Sequence, residues 1–294
     1  MKKRSSFVSL FALGSSALLV TCVVAACGSA KEGSGFNDGD NSDGGGFGDG
    51  GKGLGGGGGE AGAGGCHGIG CNVVSCPGGG DTTISGTVYA PNGTLPLYNV
   101  IVFVPTDPLG SFTDGVSCDT CGKVSGNPVT STISNPDGTF TLKGVPTGTN
   151  VPLVFQVGKW RREVTIPTIT SCKDNPITDP NMSRLPKNHT EGDIPHIAMT
   201  TGGCDRIACV LPKMGLDASE FGVASDYPAK HVVEYGTDSA TNLPGATSAQ
   251  SFWQTPAEMA KYDLIVLSCE CDETNEDKPP PAQQNMLDYL NAGG

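Results

Sequence analysis

Apolar residues fall along this chain in four regimes. From Phe7 to Val24 they form an almost continuous run, broken only by small and hydroxyl residues. From Gly28 to Gly65 they nearly vanish. From Thr82 to about Cys172 they recur with a period of two, the signature of half-buried strands. Ile84, Gly86 and Val88 alternate with Thr83, Ser85 and Thr87, and Pro91-Asn92-Gly93 then turns the chain. Val100 to Val104 is a continuous β-branched and aromatic run that predicts an interior strand. Val129 to Ile133 alternates, as do Phe140 with Leu142, then Leu153, Phe155 and Val157, then Trp160, Arg162, Val164 and Ile166. Asn135-Pro136-Asp137-Gly138 and Val145-Pro146-Thr147-Gly148 supply turns, with proline setting one dihedral and glycine taking the positive φ. Short strands, turn chemistry and no helical period predict an all-β antiparallel sandwich.

The pattern changes again at Ile194. Ile194, Ile197, Ala198 and Met199 predict a short strand, Val232 to Tyr235 a second, and Leu264 to Ser268 a third, apolar throughout as the interior of a parallel sheet requires. Ile207, Val210, Leu211 and Met214 fall on one helix face, which Pro212 shortens or kinks. Thr255-Pro256-Ala257-Glu258 reads as a helix start. Pro281 and the residues from Ala282 to Ala292 predict a helix that stops at Gly293-Gly294. The order is βαβαβα. About 100 residues with three strands is small for a doubly wound sheet, so this α/β segment reads as truncated at Gly294, either as a gene fragment or through an early stop.

The first 27 residues place the chain. Lys2, Lys3 and Arg4 form a positive n-region, the apolar run follows, and Val24-Ala25-Ala26-Cys27 closes it. This layout resembles a bacterial lipoprotein signal. The resemblance implies cleavage between Ala26 and Cys27 and lipidation of Cys27. A simple secretory peptide or a spanning helix is the competing reading. Residues 28 to 80 hold 24 of the 44 glycines. The first 38 of them bury too little to offset their ordering entropy and read as a disordered tether, reaching roughly 35 Å on average. Asp38-Gly39-Asp40-Asn41-Ser42-Asp43 lacks the glycine and the bidentate glutamate of an EF-hand loop, so it reads as a solvated acidic linker.

The chain carries a formal charge of −12, which becomes −15 once the signal is removed. So acidic a chain excludes nucleic acid and electrostatic docking on anionic headgroups, leaving the lipid as the anchor. Expected partners are the bilayer, through acylated Cys27, and a polysaccharide or an envelope protein. No cofactor and no metal site is assigned. The expected place is the cell envelope, at the outer membrane rather than the inner.

The motifs of the sandwich carry a second resemblance. Ile84-Ser85-Gly86-Thr87-Val88, Pro96-Leu97-Tyr98-Asn99-Val100-Ile101-Val102, Asp137-Gly138-Thr139-Phe140-Thr141-Leu142 and Val145-Pro146-Thr147-Gly148 are similar to a carboxypeptidase regulatory-like domain. That family implies a transthyretin-like (prealbumin-like) sandwich serving as a structural or binding module, with carbohydrate binding known in the wider fold group. This chain departs by a long insertion from Pro105 to Asn127. Tyr262-Asp263-Leu264-Ile265-Val266-Leu267-Ser268-Cys269-Glu270 resembles the first half of a class I glutamine amidotransferase-like domain. The whole layout resembles lipoproteins of Gram-negative soil bacteria. The domains are then a signal at 1–26, a tether with a cysteine cluster at 27–80, the sandwich at 81–172, a polar linker at 173–193 and the α/β segment at 194–294.

Twelve cysteines are present, and ten remain after Cys22 leaves with the signal and Cys27 takes the lipid. An even number in an exported chain predicts disulfides among Cys66, Cys71, Cys76, Cys118, Cys121, Cys172, Cys204, Cys209, Cys269 and Cys271. Cys66, Cys71 and Cys76 read as a small disulfide knot rather than a Cys3His zinc site with His67, whose spacing matches no common finger. Cys118-x-x-Cys121 reads as a local staple, since neither a βα context nor a following histidine is present. The strand ends of a parallel sheet favour Cys204–Cys271 with Cys209–Cys269, the swapped pairing being next. Cys269 is the weak candidate for a catalytic thiol. It follows a strand, but Ser268 and Glu270 replace the small residues of a nucleophile elbow, and nothing in the sequence sets His196 or His231 beside it. Trp160, Arg161 and Arg162 are the candidate sugar-stacking or anion-binding residues. The leading expectation is a non-enzymatic, tethered envelope protein with a structural or binding sandwich. Carbohydrate binding by that sandwich comes next, and a hydrolase or amidotransferase-like activity in the C-terminal segment third.

Overall fold

The computed structural model of the chain describes residues 66–117, 124–205, 207–236, 244–270 and 278–294. The period-two region folds as the strands it predicts: β1 Thr83–Thr87, β2 Ile101–Pro105, β3 Pro128–Ile133, β4 Thr139–Lys143, β5 Gly148–Val157 and β6 Trp160–Ile169, followed by β7 Asp174–Pro176. They form a three-stranded sheet, β4-β1-β7, and a four-stranded sheet, β3-β2-β5-β6. The β1–β4 register sets Ile84 opposite Leu142 and Gly86 opposite Phe140. Those residues meet Val102, Val104, Leu153, Phe155, Val164 and Ile166 of the other sheet in one buried cluster, so the two sheets pack face to face. Phe140 and Phe155 make an edge-on ring contact at 5.9 Å across the layers. The turn at Asn135-Pro136-Asp137-Gly138 closes with a hydrogen bond from Gly138 N–H to Asn135 O at 2.8 Å. Gly138 has φ 79°, and a Cβ there would lie 2.7 Å from Pro96.

Two expectations change here. The β1–β7 pair is parallel, so the sandwich is not antiparallel throughout. Residues 173–193 are also not a free linker. Thr83 and Ser85 hydroxyls donate to the Asp174 carboxylate at 2.7 and 2.5 Å, and Leu185 is buried in the sandwich core. Between them lies helix α1, Pro180–Ser183, opened by the Asp179 carboxylate accepting from Asn181 N–H. This strap is held by polar side chains, backbone and the isolated apolar residues Ile177, Met182 and Leu185, whose spacing shows no alternation to read.

The C-terminal region carries a parallel sheet. Its strands are β8 Ile197–Thr200, β9 Phe221–Gly222, β10 Val232–Gly236, β11 Thr247–Ser248 and β12 Leu264–Val266, in the order β11-β10-β8-β12, with β9 also on β10. The described helices are short: α2 Val210–Lys213, α3 Ala249–Trp253 and α4 Pro256–Met259, with only α5, Pro280–Asn291, running several turns. The expected helix over 207–214 is a 3-10 turn at Ile207–Cys209 followed by α2. β8 and β10 are buried along their length. β12 is an edge strand among the described residues, with Leu264 about half exposed, rather than the interior strand its apolar run suggests.

Alternation divides the sheet between two cores. Ala198, Val233 and Ile265 face a layer built from Phe252, Trp253, Met259, Tyr262 and Tyr289. Ile197, Val232 and Val266 face the opposite side, where Leu216, Leu211 and Trp160 cover them. Trp160 also packs against the sandwich core. The sandwich therefore contributes to the second layer that a doubly wound sheet would otherwise draw from helices. Both halves belong to one compact body, whereas the sequence suggests separate domains.

The tyrosines of the helical layer set an alkaline limit. Tyr235 and Tyr262 hydroxyls lie 2.9 Å apart, and Tyr289 donates to Tyr262 O at 3.0 Å. Burial raises Tyr235 and pushes both Tyr262 and Tyr289 up to about 12. A raised phenol stabilises the fold below its ordinary pKa of about 10, and that contribution disappears as pH climbs through the folded value. Phenolate absorbance of the six tyrosines is thus expected to rise in two waves, the later one coinciding with loss of the circular dichroism signal. A single wave in a folded protein would contradict this packing.

Candidate binding cleft and histidine–carboxylate cluster

The two-residue turn between β5 and β6 projects into the junction of the two halves. Gly158 occupies its first central position with φ 55°, as such a hairpin requires. Lys159 follows, and its ammonium donates to Thr113 O at 2.8 Å, Gly115 O at 2.7 Å and Asp263 Oδ1 at 2.5 Å. Asp263 Oδ2 accepts from His196 N–H at 2.7 Å, just before β8. The Lys159 and Asp263 side chains are only 15% and 10% exposed. This pair links the sandwich hairpin, the 105–127 insertion and the parallel sheet.

A cleft of about 650 Å³ opens beside the clamp, lined by Phe112, Gln156, Lys159, Trp160, Pro195 and Leu264 among others. Its volume and position between two lobes suit a small-molecule site. Trp160 donates its indole N–H to Pro186 O at 3.2 Å. Arg161 is buried, donating to Asp193 Oδ2, Ser125 Oγ and Gly110 O at 2.8–2.9 Å, with its guanidinium 4.2 Å from the centre of the Phe112 ring. Arg162 donates to Asn181 O and Arg184 O, and burial together with the nearby Arg184 charge lowers its pKa. The expected triplet therefore separates. Trp160 lines the cleft, whereas both arginines are structural because carbonyls and a carboxylate occupy their donors.

A second constellation was not assigned from the sequence. His189 comes from the strap, Glu220 from the 3-10 turn Ala218–Glu220, and His231 from the residue before β10. Their ligating atoms all lie within 4.8 Å of one another. Glu220 is completely buried. Its Oε1 accepts from His189 N–H at 3.1 Å and lies 2.8 Å from His189 Nδ1. Its Oε2 lies 2.9 Å from His231 Nδ1, within ion-pair range, yet the pair is not aligned as a hydrogen bond and both atoms lack such a partner. His231 stacks with His196 at 4.5 Å and with His189 at 5.1 Å. Burial lowers the pKa of His231, with the Glu220 charge pulling it back up, and burial followed by the His231 charge lowers that of His196.

The strap is fixed locally where it presents His189. Arg184 grips Glu191 through two hydrogen bonds at 2.6 and 2.8 Å, and Lys187 N–H adds a third at 2.9 Å. Arg184 holds the Glu191 carboxyl down at about 2. Gly192 lets the chain pass β6 closely, since a Cβ there would meet Arg161 O at 2.3 Å. Asn188 is also engaged, donating to Asp217 at 2.5 Å and accepting from Thr190.

Cys66 bonds to Cys71, and Cys76 reaches Cys172, so the expected three-cysteine knot is a small loop plus a long-range staple. Cys204 is disulfide-bonded, while Cys209 and Cys269 are free and exposed. The expected Cys209–Cys269 bond is therefore not made, and neither is the swapped Cys204–Cys269. Cys209 sits on a 3-10 turn rather than the expected helix, and the Asp205 carboxylate holds the Cys269 backbone N–H at 2.6 Å. Ala26, Cys27, Cys118, Cys121 and Cys271 lie outside the described residues. His196 and His231 precede β8 and β10, whereas Cys269 follows β12 at the opposite end of the parallel strands. Five residues of strand separate those ends by roughly 16 Å, too far for a Cys–His pair. No helix among the described residues is long and apolar enough to cross a membrane.

No family model matches the chain, and no curated protein matches it. Among solved structures, it is similar to the dioxygenase domain of a dioxygenase carbohydrate-binding protein fusion from the cellulolytic bacterium Streptomyces sp. SirexAA-E. The match is 17% identical, covers 36% of this chain and 84% of that one, and has a TM-score of 0.17. At that score neither fold nor activity transfers.

Proposed function

We propose that this chain is an exported, lipid-anchored envelope protein that binds a saccharide-class ligand in the cleft between its β-sandwich and its parallel sheet. The observation that carries this reading is the cleft itself, about 650 Å³ with Trp160 and Phe112 beside polar lining groups. Aromatic faces with a few fixed polar groups are what a small polar ligand with apolar ring faces requires. The likeness of the sandwich motifs to a carboxypeptidase regulatory-like, prealbumin-like module supports a binding role. The Val24-Ala25-Ala26-Cys27 sequence supports the anchor, and the disulfides fit an oxidising compartment.

The test uses the full chain in membranes. Oligosaccharide binding is expected to sediment with the membrane fraction, and the intact protein is expected to carry an acyl mass that is lost in Cys27→Ser. Ser111→Trp, which fills the cleft from an exposed lining position, is expected to weaken binding at least about tenfold, the equivalent of 1.4 kcal/mol. Trp160→Ala should abolish binding but also loosen two cores, so Ser111→Trp is the deciding variant. Equal binding by Ser111→Trp would remove the cleft as the site. Absence of an acyl mass from the wild-type protein, or its persistence in Cys27→Ser, would remove the anchor.

A further inference from the structure

We propose that His189, Glu220 and His231 form a binding site for a divalent transition cation of the zinc class. Two imidazoles and one carboxylate are a donor set such cations take, with a remaining position for solvent. Three observations carry the assignment. The ligating atoms converge within 4.8 Å although they come from a strap, a 3-10 turn and a strand start. Glu220 is 0% exposed, and among the described residues no lysine or arginine pairs with it. A buried carboxylate demands a compensating charge.

The third observation is the approach of the second Glu220 oxygen to His231. Glu220 Oε2 and His231 Nδ1 approach to 2.9 Å without hydrogen-bond alignment, and both are buried without a hydrogen-bond partner. Two lone-pair donors turned off their common line are arranged as ligands of a third atom. His189, with its side chain 47% exposed, is the entry side, and His231 at 15% is the inner ligand. His196 stacks on His231 with the ring centres 4.5 Å apart, so the inner ligand is packed as well as buried. The site lies at the N-terminal edge of the parallel strands, the end opposite Cys269, so an ion there would tie the strap to the sheet.

The full chain, purified in mild detergent and stripped with a chelator, is titrated with ZnCl2 by calorimetry and with Co2+ by absorption. We expect a single saturable site, a higher melting temperature with Zn2+, and a Co2+ spectrum without a thiolate charge-transfer band. Outer-shell changes alone cost 10–100-fold, so loss of a ligand in His189→Asn or Glu220→Gln should weaken binding by at least about 100-fold. Glu220→Gln sits in a buried position and can unfold. His189→Asn changes a half-exposed ligand and decides the outcome on its own. Absence of saturable binding, Zn2+ affinity unchanged in His189→Asn, or a thiolate band from Cys209 or Cys269 would overturn the assignment. Saccharide binding in the cleft is measured separately and neither supports nor removes it.

Discussion

Replacing Cys76 and Cys172 together by alanine is expected to cost about 4.5 kcal/mol of stability, the largest effect of any single cross-link described in this chain. The bond closes a separation of 96 residues, which spans the whole sandwich. In the chain-entropy view, a loop of that size removes far more freedom from the unfolded state than a short one. The Cys66–Cys71 bond spans only five residues, and the same relation gives it about 2 kcal/mol. The two deletions should therefore differ by more than 2 kcal/mol in guanidinium unfolding, with an increased m-value only for the long-range pair. The native contacts around the bond are modest. Thr82 Oγ1 accepts from Cys172 N–H at 3.0 Å, and Cys172 itself adopts φ 58°. Most of the loss should thus arise in the unfolded state. Equal costs for the two deletions would show that native packing, not loop closure, sets the contribution.

The sandwich was legible because its strands show period-two alternation in sequence, or in β2 a continuous apolar run, separated by turns whose residues allow few conformations. Gly138 and Gly158 stand where only a positive φ continues the chain. The strands that escaped reading, β7, β9 and β11, are two or three residues long. Pairing and polar side chains hold them, and that leaves no hydrophobic period. The same reason hid the strap. Its anchors are Asp174, Arg184 and Glu191, which as sequence look like solvated polar residues. β12 was assigned to the interior because an apolar run does not state how many neighbours its strand has.

The histidine cluster escaped for a different reason. Its members are 31 and 11 residues apart along the chain and lie on connections, so no local spacing marks them. One signal was available. His196 and His231 immediately precede Ile197 and Val232, the first residues of adjacent parallel strands. Parallel register alone brings such residues to the same sheet edge. The Cys209–Cys269 pairing erred through the opposite inference, since sharing a sheet edge does not bring two side chains within bonding reach. For the sugar site, the sequence identified Trp160 but could not show that Arg161 and Arg162 are consumed by Gly110 O, Asp193, Asn181 O and Arg184 O.

Breaking the Lys159–Asp263 clamp is expected to be nearly as costly, and its consequences reach the cleft. Both side chains are largely buried, so either one alone becomes an unpaired interior charge. Removing one partner of such a pair typically costs about 3–5 kcal/mol, whereas replacing both with apolar residues of similar volume is often close to neutral. Lys159→Met and Asp263→Leu are therefore each expected to destabilise by that amount, and the double variant by much less than their sum. Some cost should persist in the double variant. Lys159 also ties down Thr113 O and Gly115 O, while Asp263 also accepts from His196 N–H. Those bonds fasten the insertion and β8, and they vanish with the side chains. Guanidinium melts of the two single variants and the double variant would measure the coupling directly. Additive costs would mean that the charges act independently of each other. Single-variant effects below about 0.5 kcal/mol, the range of ordinary surface changes, would mean that the clamp is solvated. Because Lys159, Asp263 and Leu264 line the same cleft, loosening the clamp should also weaken ligand binding in proportion to the stability lost. Ser111→Trp should weaken binding with no matching loss of stability, which separates filling the site from unfastening its walls.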